Sequence, residues 1–416
     1  MIKNEEVLRH FQIIDEFLDQ HKQFWQFKAF EYTEIKWHDH APLMSVLNTL
    51  NIESIHTLKS NADACLTKFE EIFDVDFIRK IESTFKVEHR HTIETKPEGF
   101  AQLQRQQTNR AMSGVKGRKL DQIQAFSHAL HRAPFHYIGN GSYLEWCAGK
   151  GHLGRYLAVN NDCKVKSLEW QEALCEAGTQ LANKYSVEQT FICTDALSEK
   201  AIPFISQSHN VVALHACGDL HSALIKAFPL SDALSLSVTP CCYNRIESDN
   251  YLPLSLLGQQ AHCALSKTDV SLALKSVVTA PQKIKLRQAS DEQVLWRLAF
   301  DAYQKELRNG CQYLPLPSHS SVFKSSDTFF RWACDKKAMP YPSTDVIDAY
   351  VKNAELHFIS VRRMELVQGL FQRIIELWLV LEKASYLYEQ GLSVHVSVFC
   401  SNTVTPRNLL IQAFRR

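Results

Sequence analysis

The run Tyr143-Leu-Glu-Trp-Cys-Ala-Gly-Lys-Gly-His-Leu-Gly154 constrains this chain more than any other stretch. It reads as a short strand, a tight glycine turn and the start of a helix. Gly149, Gly151 and Gly154 make a G-x-G-x-x-G, and Glu145 lies four residues before the first of them. In an open parallel sheet a ligand rests on the backbone at the carboxyl ends of the strands. A Cβ there would collide with it, so glycines are required. The segment predicts a cofactor seated over Ala148, Gly149, Gly151, His152 and Leu153.

The surrounding pattern predicts the sheet. Strand signals fall at 143–148, 164–169, 190–193, 211–215 and 233–238, separated by helical stretches near 152–160, 171–184, 198–207 and 220–227. Such alternation means βαβ units and a parallel sheet. A helix is expected from about Arg118 to His131, ahead of the first strand. After Tyr243 the alternation stops. Helices are expected near 291–308 and 345–357, with a Pro/Ser-rich loop at Tyr313–Ser321. A long amphipathic helix is expected from Arg363 to Gln390, closed by Gly391. Ser393–Cys400 and Asn408–Phe414 read as two strands of a terminal hairpin. A closing hairpin whose last strand runs antiparallel between two parallel ones resembles the way a seven-stranded, Rossmann-like class I methyltransferase sheet closes, and that fold is the expectation.

Residues 1–105 show helical periodicity and almost no strand signal. Val7, Phe11, Ile14, Phe17 and Leu18 form one apolar stripe. Phe24, Phe27 and Phe30 begin a second, and Phe69, Ile72, Phe73, Phe77 and Ile81 a third. Trp25 and Trp37 read as core. Glu88–Arg110 is polar and reads as a linker. The expected organisation is a helical N-terminal module at 1–105, a catalytic α/β domain from 111–245 and 363–416, and a mostly helical insertion at 246–362.

Two cofactors fit a glycine turn followed at twenty residues by Glu169. Both a dinucleotide and S-adenosylmethionine carry a ribose whose hydroxyls suit a carboxylate at the second strand's tip. S-adenosylmethionine is favoured by three features. Glu145 sits inside the first strand, where dinucleotide folds keep apolar residues, and its charge suits the cofactor's positive part. Asp195 and Ala196 close the third strand, with the acid placed to reach an adenine amine. The antiparallel last hairpin is foreign to a dinucleotide fold. Trp170, beside Glu169, either covers the adenosine or packs in the core.

The fourth strand, Asn210-Val-Val-Ala-Leu-His-Ala-Cys-Gly-Asp219, ends in polar residues where the transferred methyl would lie. His215, Cys217 and Asp219 are therefore candidates for acceptor contact or proton removal, and His215 also for cofactor contact. Asp219 would otherwise cap the next helix. The fifth strand ends Pro-Cys-Cys-Tyr, which brings Cys241, Cys242 and Tyr243 to the neighbouring tip. The thiols allow a soft-metal site or a thiolate nucleophile, although adjacent cysteines chelate one ion poorly and no metal is expected. The plainer expectation is that Pro240 and the cysteines shape the pocket floor and Tyr243 stacks on a planar acceptor. Lys116, Arg118 and Lys119, ahead of the first strand, suit a carboxylate or a phosphate.

Composition closes off other classes. A net charge of +1 gives no summed polyanion-binding field. No apolar run approaches a membrane span, and no N-terminal apolar stretch precedes a cleavage site. Twelve scattered cysteines in 416 residues point to free thiols in a reducing, cytoplasmic setting rather than a disulfide scaffold.

Four segments together resemble one branch of class I methyltransferases. They are Met112-Ser-Gly-Val-Lys-Gly-Arg-Lys119, Glu145 with Ala-Gly-Lys-Gly-His-Leu153, His215-Ala-Cys-Gly-Asp-Leu220 and Cys241-Cys-Tyr243. The branch includes methyltransferase-like protein 25 and the methyltransferase part of glutathione S-transferase C-terminal domain-containing protein. The resemblance covers residues 111 to about 245 plus Thr405–Asn408. It implies an S-adenosylmethionine-dependent methyltransferase, with Glu145, Gly149, Gly151 and Glu169 on the cofactor side. It places His215 to Asp219 and Cys241 to Tyr243 around the acceptor. Where the family carries a lysine pair this chain has Arg118-Lys119, which keeps the charge. Acceptors in RNA and in protein are both open; RNA is the first expectation, and a binding module without turnover is a further alternative.

Overall fold

A computed structural model describes residues 1–86, 106–131, 141–274, 284–308, 310, 314 and 320–415. Most of the loop expected at 313–321 and most of the linker at 88–110 lie outside these residues. The end of that linker, 106–111, is helical.

The chain divides into two compact units. The first contains Met1–Lys22, Asp76–Ser276 and Phe371–Arg416, and the second Gln23–Val75 and Val277–Leu370. The N-terminal helical stretch is thus shared between the two, and residues 246–276 of the expected insertion belong with the first.

The first unit is built on one eight-stranded sheet. Its strands are β1 (Ile2–Lys3), β2 (Tyr143–Trp146), β3 (Val165–Glu169), β4 (Gln189–Cys193), β5 (Asn210–Cys217), β6 (Ser235–Cys241), β7 (Ser393–Val398) and β8 (Leu409–Phe414). The order across the sheet is β1-β7-β8-β6-β5-β2-β3-β4. Strands β2 to β6 are mutually parallel where they pair, and β8 lies antiparallel between β6 and β7. The predicted closing hairpin is therefore present. The additional strand is β1, which pairs antiparallel with β7 at the sheet edge. Two residues are too few to show strand periodicity, and this is why the N-terminal region reads as wholly helical.

Every residue of β2, β6 and β8 is buried, as expected when both faces of a sheet are covered. Helices Gly117–His131, His152–Asn161 and Glu172–Lys184 follow the predicted positions closely. The stretch expected at 198–207 is a short 3-10 turn, Glu199–Ala201, leading into Ile202–Ser206. Helix Glu5–Gln20 buries the predicted stripe of Val7, Phe11, Ile14, Phe17 and Leu18. The third predicted stripe is broken: helix Val75–Thr84 starts after Phe69 and Phe73, which are buried in the turns before it.

The two helices expected at 345–357 and 363–390 are one, Thr344–Glu389, of 46 residues. No glycine or proline occurs between His357 and Arg363 to stop it. Between Phe371 and Leu387 it buries Phe371, Ile374, Ile375, Leu377, Trp378, Leu379, Val380, Leu381 and Ala384, so its apolar surface runs all round. That stretch also carries buried acids. Glu382 accepts from the Tyr251 hydroxyl at 2.5 Å and from the Ser255 amide at 2.8 Å. The chain that follows β6 is thereby tied to this helix. No helix among the described residues is long and apolar enough to cross a membrane.

Candidate active site

The β2 strand delivers the chain into a loop whose conformation repeats a left-handed step. Cys147, Gly149 and Gly151 have φ of +56°, +58° and +63°. Gly151 is the N-cap of helix His152–Asn161. The two glycines serve different ends. A Cβ on Gly149 would meet nothing within 4 Å. A Cβ on Gly151 would lie 2.3 Å from Gln189 Nε2 and 2.4 Å from Phe191 Cζ. The expectation that both spare a cofactor therefore divides: Gly149 leaves open space, while Gly151 and Gly154 let the helix close on the sheet.

Above the loop lies a cavity of about 260 Å³. Its walls include Glu145, Ala148, Gly149, His152, Leu153 and His215 of the expected set. Lys119, Trp146, Cys147, Lys150, Leu174 and Leu214 also line it. Of these, Cys147 carried no signal as a loop residue, because its positive φ is rare for a non-glycine.

Glu145 is 4% exposed and looks inward. It accepts from Ser167 Oγ at 2.7 Å and from the Gly154 amide. Gln189 Nε2 donates to Ser167 Oγ at 2.8 Å and to the Gly151 carbonyl at 2.9 Å. A buried polar network thus sits beneath the glycine loop. Burial pushes the Glu145 carboxyl up to about 7, against the Ser167 and Gly154 hydrogen bonds. This carboxyl thus ties β2 to β3 and to the first turn of helix His152–Asn161, and it also borders the cavity.

Glu169 ends β3 and is the loop's second acid. It accepts from the Gly149 amide at 2.9 Å through Oε2 and from the Gln171 amide at 3.1 Å through Oε1. Each carboxylate oxygen keeps a lone pair for a hydroxyl donor. Trp170 is 68% exposed, which removes the core-packing alternative for it. Asp195 follows β4, is exposed, and accepts from the Leu197 amide at 2.9 Å; Ala196 beside it is buried. Glu169, Trp170, Asp195 and Ala196 stand at the tips of β3 and β4 and are not among the cavity walls.

His215 sits in a bulge of β5, with φ +68°. Its amide donates to Thr239 Oγ1 at 2.9 Å, and its Nε2 lies 3.1 Å from Gln122 Oε1. With the amide oxygen accepting, Nε2 carries the proton and Nδ1 is left as acceptor. Burial, with Lys119 and Arg407 near, lowers His215 to about 4. Burial and Arg155 lower His152 to about 4 as well. The Arg155 guanidinium donates to His152 Nδ1 at 2.7 Å and to the Ala111 carbonyl at 2.9 Å. It fastens the segment before helix Gly117–His131 to the loop. Both cavity imidazoles are neutral at pH 7.

At the tips of β5 and β6 the three thiols converge as the sequence suggests. Cys217 Sγ lies 3.4 Å from Cys241 Sγ. The Cys241 hydrogen bond, with help from Cys242 and Arg245, lowers the Cys217 thiol to about 6 in spite of its burial. Two expectations are corrected here. Tyr243 is 1% exposed, its ring against His221 and its hydroxyl donating to Glu376, so it cannot stack on an acceptor. Asp219 neither caps its helix nor faces the cavity. Gly218 is the N-cap, and the Asp219 carboxylate accepts from the Glu247 amide at 2.9 Å.

Residues 118–249 match the family described as Methyltransferase domain. The sheet is the Rossmann-like class I methyltransferase fold, a fold whose cofactor is S-adenosylmethionine. Among solved structures, the chain is similar to a SAM-dependent methyltransferase from Agrobacterium tumefaciens (13% identity, 30% of this chain and 46% of that one, TM-score 0.24). It is also similar to the tRNA (uracil-54, C5)-methyltransferase of Pyrococcus abyssi (16% identity, 29% and 28%, TM-score 0.24). A third is an RNA methyltransferase from Salinibacter ruber (12% identity, 31% and 80%, TM-score 0.25). The chain spans less than half the length of the first two.

Proposed function

We propose that the protein transfers a methyl group from S-adenosylmethionine to RNA. The observation that carries the cofactor site is the contrast at the glycine loop. Gly149 opens onto the cavity with its amide held by Glu169, while Gly151 is packed from below. Gly149 and Ala148 would lie under the donor, the Glu169 carboxylate would accept from its ribose, and Asp195 with Trp170 would approach the adenine. The donor supplies a sulfonium-activated methyl group. The chain's own part is to hold the acceptor in line, exclude water and take up a proton where the acceptor has one to lose.

His215 Nδ1 is the acceptor placed for that proton. Its low pKa makes it a weak base, which suits an acceptor needing only a hydrogen bond to orient it. Support for RNA comes from Lys116, Arg118 and Lys119. All three are exposed, and Lys119 forms part of the cavity wall. Such charges suit phosphate contacts. Membership of the branch containing methyltransferase-like protein 25, suggested by the four matching segments, is part of the same proposal.

The test is labelling with tritiated S-adenosylmethionine of a lysate from cells lacking this protein, sorted into RNA and protein. Label in RNA, lost with Lys119→Glu, is the expected result. Label confined to protein would overturn the acceptor assignment, and none in any fraction would overturn turnover itself.

A further inference from the structure

The thiols at the tips of β5 and β6 lie outside the cavity walls and have no part in the chemistry above. Sγ atoms of Cys217, Cys241 and Cys242 all lie within 4.8 Å of one another. Among the described residues they are the one such group of potential metal ligands. We propose that they form a three-thiolate site for a soft d10 cation, Zn²⁺ in the first instance.

Adjacent cysteines in a strand point to opposite faces and cannot share an ion. The backbone removes that obstacle. Cys241 is the last residue of β6, and Cys242 turns to φ +46°. The left-handed step brings its thiol round to the side of Cys241. Cys217 completes the group because it is the register partner of Cys241 across the parallel pair β5–β6, so the two project on the same face. A tetrahedral ion with Zn–S bonds of roughly 2.3 Å sets its sulfurs about 3.8 Å apart. The Cys217–Cys241 separation of 3.4 Å is already close to that, and the remaining separations need shifts within the reach of a χ1 adjustment.

The fold also holds the site together before any ion arrives. The Gly218 amide donates to the Cys241 carbonyl at 3.0 Å, the Arg245 amide to the Cys242 carbonyl at 2.9 Å, and the Asp219 amide to the Arg245 carbonyl at 3.0 Å. A Cβ on Gly218 would lie 1.9 Å from the Arg245 carbonyl oxygen, so the turn after Cys242 is packed directly on the turn after Cys217. His215 and Cys242 are both non-glycine residues at positive φ in this small region. Strained residues of this kind concentrate where a geometry is used. Cys241 is buried while Cys217 and Cys242 are half-exposed. The fourth coordination position is therefore free for water or an exogenous ligand, as in sites with three protein ligands. Binding releases the thiol protons to solvent.

The test uses the full chain, reduced, metal-stripped and kept anaerobic, titrated with Co²⁺ and then with Zn²⁺, without S-adenosylmethionine. One Co²⁺ per chain with thiolate-to-metal charge-transfer absorption, displaced by Zn²⁺, is expected. Cys242→Ser, at a half-exposed position, is expected to lose a third of that absorption. Its Zn²⁺ affinity should fall by more than the roughly tenfold that loss of an outer partner costs. Cys217→Ser should behave alike, with circular dichroism confirming the fold, and Cys147→Ser should change neither. Absence of the band, or a band that survives Cys217→Ser/Cys242→Ser, overturns the site. Either outcome leaves the methyltransferase reading untouched, because no donor or acceptor enters the measurement.

Discussion

Replacing Glu145 with glutamine should change how stability depends on pH, by an amount the structure sets. The carboxyl is fully enclosed and burial raises it from 4.5 to about 7. A carboxyl that is harder to ionise in the folded chain than in the unfolded one stabilises the fold while it is protonated. Its contribution is complete below about 4.5 and is lost as pH rises through 7. At roughly 1.4 kcal/mol per pH unit, the gap between 4.5 and about 7 amounts to about 3 kcal/mol. Glutamine keeps an oxygen for Ser167 Oγ and the Gly154 amide and cannot ionise. Denaturant unfolding of both proteins from pH 5 to pH 8 isolates the effect, since all other groups titrate in both. The wild type should lose about 2.5 kcal/mol relative to Glu145→Gln over that range, the remainder being lost already below pH 5. Parallel profiles would show that this carboxyl is not enclosed, and would refute the buried network beneath the loop.

Three further outcomes follow from the same geometry. Gly151→Ala should destabilise the fold severely, since its Cβ meets Gln189 and Phe191 at under 2.5 Å on a backbone that already costs roughly 1–2 kcal/mol for an L-residue; a thermal scan checks it. Glu169→Ala removes the acceptor for the Gly149 and Gln171 amides and should abolish donor binding in calorimetry while the fold survives. Arg155→Met should free the segment at Ala111, which it holds through a 2.9 Å hydrogen bond; faster hydrogen exchange of residues 106–115 is the expected reading.

The parts of the fold that announce themselves are those where a residue type is forced. Gly151 and Gly154 mark the loop because a Cβ at either would collide with Gln189 and, respectively, Phe191 or Glu145, and alternating apolar runs mark β2 to β6. The terminal hairpin is legible because Gly391 stops the preceding helix. What the sequence hides is set by contacts made far along the chain. β1 exists only because β7 presents an edge to it. The single helix Thr344–Glu389 shows as two although no glycine or proline interrupts it between His357 and Arg363. Tyr243 reads as an aromatic at a pocket, yet Glu376, 133 positions away, takes its hydroxyl. The meeting of Cys217, Cys241 and Cys242 at neighbouring strand tips is legible, whereas the left-handed backbone at Cys242 is not.

Calorimetric titration of S-adenosylmethionine into the wild type and into Gly149→Ala bears most directly on the central claim. The alanine Cβ enters open space, so the variant should fold at a cost of roughly 1–2 kcal/mol. The account predicts one bound donor per wild-type chain and none, or far weaker uptake, for the variant, with NADH binding to neither. Equal donor affinity in the two proteins would place the donor away from the glycine loop and contradict the account.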